Sequence, residues 1–439
     1  MTERGPSFTT DDTSGGHLGV AGGTALYVAA VLGTGVLVLP ALAAAAAGPG
    51  AILAVAALVV VSIPLAATFA ALSRRHPDAG GVATFARRAF GPTAARVLGY
   101  WFFFGTPIGA PIAALMTARY VVAVTGGDAS TTTVVALALI VIPVIVTAFG
   151  VRFAAWLQLV LSGALVAVLV FVLVAAAPHG DPANLQPLLP HGWSGVGLAV
   201  SLYIWAFGGW EAVAGIGGEF RRPRRDIPRA TALALVIISV MYLGVQTVTV
   251  LVLGQHAARS AVPLLDLVVV ATGSGGGVVV AAIAAIVVTG VFNAYLAAFS
   301  KLGAAMGRDG DLPRWFGRGA ENGAVARRGL LLSALVMAVY CVVVLVSGNL
   351  PPFILVHTSI AAAVYGLGVA SALVLLPRWS VGWWMSLASC VFAAGLLILA
   401  GWHLIFPAAI AMVAVLVGWI LRRRAREGAP SAAEPVRIM

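Results

Sequence analysis

Two glycine-rich runs and one carboxylate carry most of the chemistry available to this sequence. The runs are Gly33-Thr34-Gly35 and Phe207-Gly208-Gly209, each inside an apolar stretch, and the carboxylate is Glu211, just beyond the second run. Glycine weakens a helix, and backbone freed at membrane depth is tolerated only where protein buries it or it lines a cavity. N–H groups at the start of a half-helix attract a carboxylate, helped by the positive end of the dipole. Carbonyls at the end of an opposing half-helix attract an ammonium or another cation. One break of each sense, facing each other, suits a zwitterion with both charges on one carbon, an α-amino acid. The carboxylate side falls on the N–H groups near Thr34, Gly35 and Val36, after Gly33, and the ammonium side on the carbonyls of Trp205, Ala206 and Phe207, before Gly208 and Gly209.

Each of these residues has a plainer reading. Glycines also let membrane helices pack closely, and this chain has 51 of them; two breaks at matched positions outweigh that reading. An intramembrane carboxylate is functional by default because it is costly, so Glu211 is expected to carry a proton or to cap freed N–H groups at a gate; a merely structural carboxyl is the alternative. Glu219 lies beside an arginine cluster and reads as a headgroup-level ion-pair partner. Trp205, Phe207 and Trp210 either close over a substrate or pack the core. His357 and His403 lie near span ends and read as interfacial, and Arg119 as snorkelling outward. Pro107 and Pro111 are expected to kink their helix and shape the pocket. Asn293 and Ser300 have oxygens suited to sodium, though such residues usually satisfy nearby backbone.

The elements that must position these groups follow from composition. Of 439 residues, 61% are hydrophobic and 9% charged, which makes the chain a polytopic all-α integral membrane protein. Twelve apolar spans are expected, at 19–46, 50–73, 94–124, 131–149, 154–177, 195–219, 229–254, 276–305, 329–347, 352–376, 382–400 and 403–421. With the N-terminus inside, the arginines at 74–75, 87–88, 221–229 and 422–424 and most of the rest share one side, leaving Arg119 and Arg259 opposite. That asymmetry predicts cytoplasmic tails at 1–18 and 422–439 and a plasma-membrane location. It also assigns the +11 formal charge to topology and acidic lipid headgroups and makes nucleic acid unnecessary as a partner. The polar start MTERGPSFTTDDTSGG lacks the pattern of a signal peptide.

The first and sixth spans enter from opposite sides, so 19–177 and 195–376 form two five-helix halves of opposite topology, with 382–421 left over. Two interrupted helices in matching positions of inverted halves point to a transporter's substrate site. No paired carboxylate, Ser/His pair or metal-ligand cluster falls at midplane, and Cys341 and Cys390 sit in apolar runs. An enzyme, a metal site and a cofactor are therefore not expected; a channel or sensor remains a lesser alternative.

Four motifs resemble the amino acid–polyamine–organocation (APC) superfamily. They are GTGVLVLPALA at 33–43, HPDAGGVATFARRAFG at 76–91, WAFGGWEAVAGIGGEFRRPRRDIPRA at 205–230 and MGRDGDLPRWFGR at 306–318. The helix-one form and the PIGAP run at 107–111 are most similar to the bacterial branch that exports methionine and branched-chain amino acids. The resemblance implies a LeuT-type 5+5 inverted repeat with discontinuous helices 1 and 6 and alternating access. It also implies backbone recognition at Thr34, Gly35 and Phe207, and a gate acid at Glu211. The implied activity is secondary transport of neutral, apolar amino acids, with export by proton coupling or exchange favoured over import. The lysine that some proton-coupled members carry in helix five has no counterpart in 154–177.

Overall fold

The computed structural model describes residues 18–76, 81–150, 155–211, 217–318 and 326–427, so most of the two tails lies outside the described residues. Its first eight α-helices are α1 (Val20–Leu32), α2 (Gly35–Ala47), α3 (Ala51–Arg75), α4 (Gly81–Phe90), α5 (Pro92–Tyr100), α6 (Gly109–Thr125), α7 (Ala129–Ala148) and α8 (Ala155–Ala176). Eight more follow: α9 (Gly192–Tyr203), α10 (Pro223–Leu253), α11 (Pro263–Thr272), α12 (Gly277–Arg308), α13 (Arg327–Ser347), α14 (Pro351–Leu375), α15 (Val381–Ala400) and α16 (Ile405–Glu427).

Long apolar runs become helices because a helix satisfies its own backbone where no water can. Their starts are written locally. Proline opens α5, α10, α11 and α14, where its missing N–H costs nothing. Asp128 and Ser380 cap α7 and α15 with side-chain oxygens. Outward positions stay apolar, as at Val346 (83% exposed) and Ile398 (79%), which suits a lipid solvent. Among the described residues, nine helical stretches are long and apolar enough to cross a membrane; three of them, Val20–Arg75, Pro92–Thr125 and Val381–Leu421, run through more than one α-helix.

Two features depart from the expected spans. The third span is not one kinked helix: α5 leads into a π turn at Trp101–Gly105 and a 3-10 turn at Thr106–Ile108 before α6 begins. Pro107 and Pro111 lack the N–H that would continue the α pattern there. A short helix, α11, also follows the seventh span, where the sequence suggested only a connection.

α2 packs on α9, α3 on α10, α6 on α12 and α7 on α13. α1 lies against α8 and α10, and α3 also touches α9 and α15. A parallel bridge joins Leu18, just before α1, to Phe220, with Leu18 N–H donating to the Glu219 carbonyl (2.9 Å) and Arg221 N–H to the Leu18 carbonyl (2.9 Å). The core passes through both glycine runs and includes the buried side chains of Tyr27, Tyr203, Tyr242, Tyr365 and Trp210.

Candidate functional site

The chain leaves the α conformation at both glycine runs. α1 ends at Leu32, Gly33 and Thr34 make the turn, and α2 starts at Gly35. Tyr242, reaching in from α10, donates its hydroxyl to the carbonyls of Val31 (2.9 Å) and Leu32 (3.1 Å), closing the end of α1. The start of α2 is treated differently. Thr34 gives it no side-chain cap, so the orphan N–H groups of its first turn have no side-chain acceptor there.

In the second run, α9 ends at Tyr203 and residues 204–211 form successive turns. The Tyr365 hydroxyl of α14 donates to the Phe207 carbonyl (3.2 Å). The Gly209 N–H donates both to that hydroxyl (3.1 Å) and to Glu211 Oε2 (3.0 Å). Ile204, Trp205 and Ala206 differ: their carbonyls accept no backbone hydrogen bond among the described residues.

The two breaks touch. A methyl group added at Gly35 would lie 2.8 Å from Ala206 Cβ and 3.1 Å from Ala206 Cα. Gly209 has φ of +122°, a conformation that favours glycine, and a Cβ there would lie 2.9 Å from the Ala30 carbonyl oxygen. Glycine is thus needed at both contacts for the backbones to approach.

A cavity of about 80 Å³ opens between the breaks, lined by Gly33, Thr34, Trp205, Gly208, Gly209 and Glu211 together with Ala30, Phe102, Thr106, Tyr295 and His357. A second lobe of about 80 Å³ shares Thr106, Val291, Tyr295 and His357 with it and is otherwise walled by such groups as Pro107, Ala110, Phe292, Leu296, Phe299 and Met337. At roughly 15 Å³ per water-sized group, each lobe holds about five. The wall of the first lobe includes the backbone of the breaks and a carboxylate; apart from Thr106, Tyr295 and His357, the second is walled by hydrocarbon among the described residues.

Six of the nine residues singled out from sequence therefore surround one cavity. Gly35, Ala206 and Phe207 are not in its wall among the described residues. Gly35 and Ala206 form the contact between the breaks, and the Phe207 ring lies 5.1 Å from that of Tyr242. Of the tryptophans, Trp205 lines the cavity while Trp210 is buried against Tyr27 (5.6 Å between rings). Pro107 stands in the apolar wall, as expected of the bend in the third span. Asn293 donates to the Thr147 Oγ1 of α7 (3.2 Å), a side chain and not nearby backbone, and Ser300 donates to the Ala326 carbonyl (2.9 Å).

His357 is a correction. It sits not at an interface but in the walls of both lobes, its ring 4.4 Å from that of Trp205. Its place near the start of α14 made it look terminal in sequence; the cavity lies at that depth because the α5–α6 interruption and the two breaks converge there. His403, by contrast, stacks on the exposed Trp402 (4.0 Å between rings). Tyr242 and Tyr365 were not identifiable from sequence as partners of the breaks, since both are contributed by distant helices.

Comparison with known proteins agrees with this architecture. Over 88–89% of the chain it resembles solved transporter structures of LeuT-type fold, including MhsT in complex with L-phenylalanine (TM-score 0.59, 14% identity, 89% of this chain and 99% of that one). The uncharacterized amino acid permease YecA of Bacillus subtilis (strain 168) is 30% identical over 89% of this chain and 92% of its own length. The L-methionine/branched-chain amino acid exporter YjeH of Escherichia coli (strain K12) is 34% identical over 65% of this chain and 69% of its own. An amino acid permease family model matches residues 18–424. With its membrane-spanning helices, its two meeting breaks and this match along nearly its whole length, the chain belongs to the amino acid permease family.

Proposed function

We propose that this permease carries neutral, apolar amino acids across the plasma membrane by alternating access and exports them in exchange for protons. The observation that carries the proposal is the meeting of the two breaks at one two-lobed cavity. The uncapped first turn of α2, at Thr34 and Gly35, receives the α-carboxylate. The carbonyls around Trp205 and Ala206 receive the α-ammonium; that of Phe207 already accepts from Tyr365. The side chain enters the apolar lobe, which offers a cationic side chain no acidic partner. Glu211, in the wall of the polar lobe, carries the exchanged proton or gates the site. Export over import is favoured by the similarity to YjeH.

The reading includes twelve spans in a 5+5 inverted repeat with discontinuous first and sixth helices and both termini cytoplasmic. Nine apolar stretches support it, because Val20–Arg75 and Val381–Leu421 are each long enough for two crossings at about 20 residues apiece. The twelfth is the span that begins with α9. The side-by-side packing of α2 with α9, α3 with α10, α6 with α12 and α7 with α13 also supports the repeat.

The test is counterflow of labelled leucine or methionine in proteoliposomes, together with efflux from cells preloaded with dipeptides, with and without a proton gradient. Counterflow and gradient-dependent efflux are expected. Uncoupled conductance without exchange overturns the carrier reading, and accumulation in place of efflux overturns the direction. A Glu211→Gln variant that transports at the wild-type rate with an unchanged pH profile overturns the proton role.

A further inference from the structure

One polar group shared by the walls of both lobes makes none of the contacts described above for the zwitterion. His357 lines both lobes, and its Nδ1 is buried without a hydrogen-bond partner. Its other nitrogen, Nε2, lies 3.4 Å from where a Cβ on Gly109 would sit, and Gly109 is part of the apolar lobe's wall. The Trp205 ring, 4.4 Å away, packs beside it over the same glycine.

An isolated imidazolium in such surroundings is too costly, so the ring is neutral and has one N–H. An orphaned buried N–H is rarer than an under-satisfied acceptor. Placing the proton on Nε2 leaves Nδ1 as the unpaired acceptor and sets the N–H on the side of Gly109. The result is one N–H donor at the entrance of an otherwise hydrocarbon lobe, where only Thr106 and Tyr295 add hydrogen-bonding side chains.

We infer that His357 is a specificity-determining residue whose Nε2–H selects neutral amino acids with a weak acceptor atom in the side chain, such as a thioether sulfur, over hydrocarbon isosteres. This rests on the amino-acid transport reading and goes beyond it, since the backbone breaks recognise only the part that all α-amino acids share. A side chain reaching from the polar lobe into the apolar one meets the imidazole, which stands in the wall of both. An acceptor there pairs with the donor, while a methylene leaves it unpaired and desolvated.

The experiment compares methionine with norleucine, which replaces the sulfur by a methylene, as competitors of labelled-leucine counterflow in proteoliposomes of the full chain. Methionine is expected to compete about five-fold more effectively, the worth of a weak neutral hydrogen bond. His357→Leu is expected to bring the ratio to near one, and His357→Gln, which keeps an N–H donor at similar reach, to restore much of it. A wild-type ratio of one overturns the assignment and leaves the transport reading intact, and it needs no variant to fold. An unchanged ratio in His357→Leu also overturns it, because aromatic contacts with sulfur would then explain the preference. Absence of any leucine or methionine counterflow overturns both.

Discussion

The contact between the two breaks can be tested with a single methyl group. In Gly35→Ala the new Cβ would meet Ala206 Cβ at 2.8 Å and the Tyr242 hydroxyl at 2.9 Å. Carbon pairs are comfortable at about 3.5–4.0 Å, so the breaks must part by about an ångström. Overpacking of this kind costs about 1–3 kcal/mol. If the substrate bridges both breaks, that cost appears as a rise of about 5- to 150-fold in the half-saturating leucine concentration for counterflow, at roughly 1.4 kcal/mol per decade. Ala206→Gly in the same chain removes the 2.8 Å collision but leaves the hydroxyl in place, so recovery should be partial. The double-mutant cycle should give a coupling of about 1 kcal/mol or more, in both half-saturation and the thermal midpoint of the purified protein. Gly366→Ala is the control: its Cβ would lie 3.6 Å from Leu397 Cδ1, an ordinary contact inside α14. It should be neutral or stabilising by up to about 1 kcal/mol. Strict additivity of Gly35→Ala and Ala206→Gly would refute the contact.

Three further outcomes are expected. Tyr365→Phe leaves the Phe207 carbonyl unpaired and removes one of two acceptors of the Gly209 N–H; thermal unfolding should show a loss of about 1–3 kcal/mol, and an unchanged midpoint would refute the stitching role. Asp311→Asn strands the Arg96 guanidinium, since the two side chains are only 7% exposed and 2.6 Å apart. It should cost about 3–5 kcal/mol, whereas Arg87→Ala, at an exposed pair with Asp309, should cost under about 1 kcal/mol; similar losses in the two would overturn this ranking. Asp128 accepts from Ser130 Oγ, Thr131 N–H and Thr131 Oγ1, which together hold its carboxyl well below the usual carboxylate range. With the folded value depressed, the cap stabilises fully above the unfolded value near 4 and fades as pH falls towards the folded one. The gap in thermal midpoint between wild type and Asp128→Ala should therefore narrow below about pH 4, and a gap constant from pH 7 to pH 3 would refute it.

What could be read from the sequence was whatever violates the rule of an apolar span. Glycine pairs and a lone carboxylate in hydrocarbon are local anomalies, so Gly33, Gly208, Gly209 and Glu211 were visible without any knowledge of packing. The bend in the third span was partly visible through Pro107 and Pro111, though not its resolution into a π and a 3-10 turn. The groups that complete the breaks were not visible. Tyr242, Tyr120 and Tyr365 are ordinary aromatic residues within their own helices, and only tertiary packing brings their hydroxyls to carbonyls 83 to 211 residues away in sequence. His357 was misjudged for a related reason, because depth in the membrane was read from distance to a span end while the cavity lies off-centre along α14.

The polar groups at the breaks divide into those that side chains already engage and those left open to the proposed zwitterion. Tyr242 closes the carbonyls of Val31 and Leu32, and Tyr120 that of Leu37 (2.5 Å). Gln246 reaches the Pro40 carbonyl (3.3 Å) while accepting from Tyr203 (2.6 Å). Tyr365 and Glu211 engage Phe207 and Gly209. Apart from Glu211, these helpers come from other helices. The two sets left over are of opposite sign and stand across a junction tight enough to exclude one methyl group: the N–H groups of Gly35 and Val36 at the start of α2, since that of Leu37 reaches the Thr34 carbonyl, and the carbonyls about Trp205. A guanidinium in their place would bind a carboxylate more strongly, through charge-assisted bidentate bonds, and would slow its release. Backbone dipoles bind it more weakly and need both ends of the substrate to be filled at once. On the proposed alternating-access reading, a carrier has to let go on the far side, and a site made from two helix ends would lose one of its two partners whenever the junction opened.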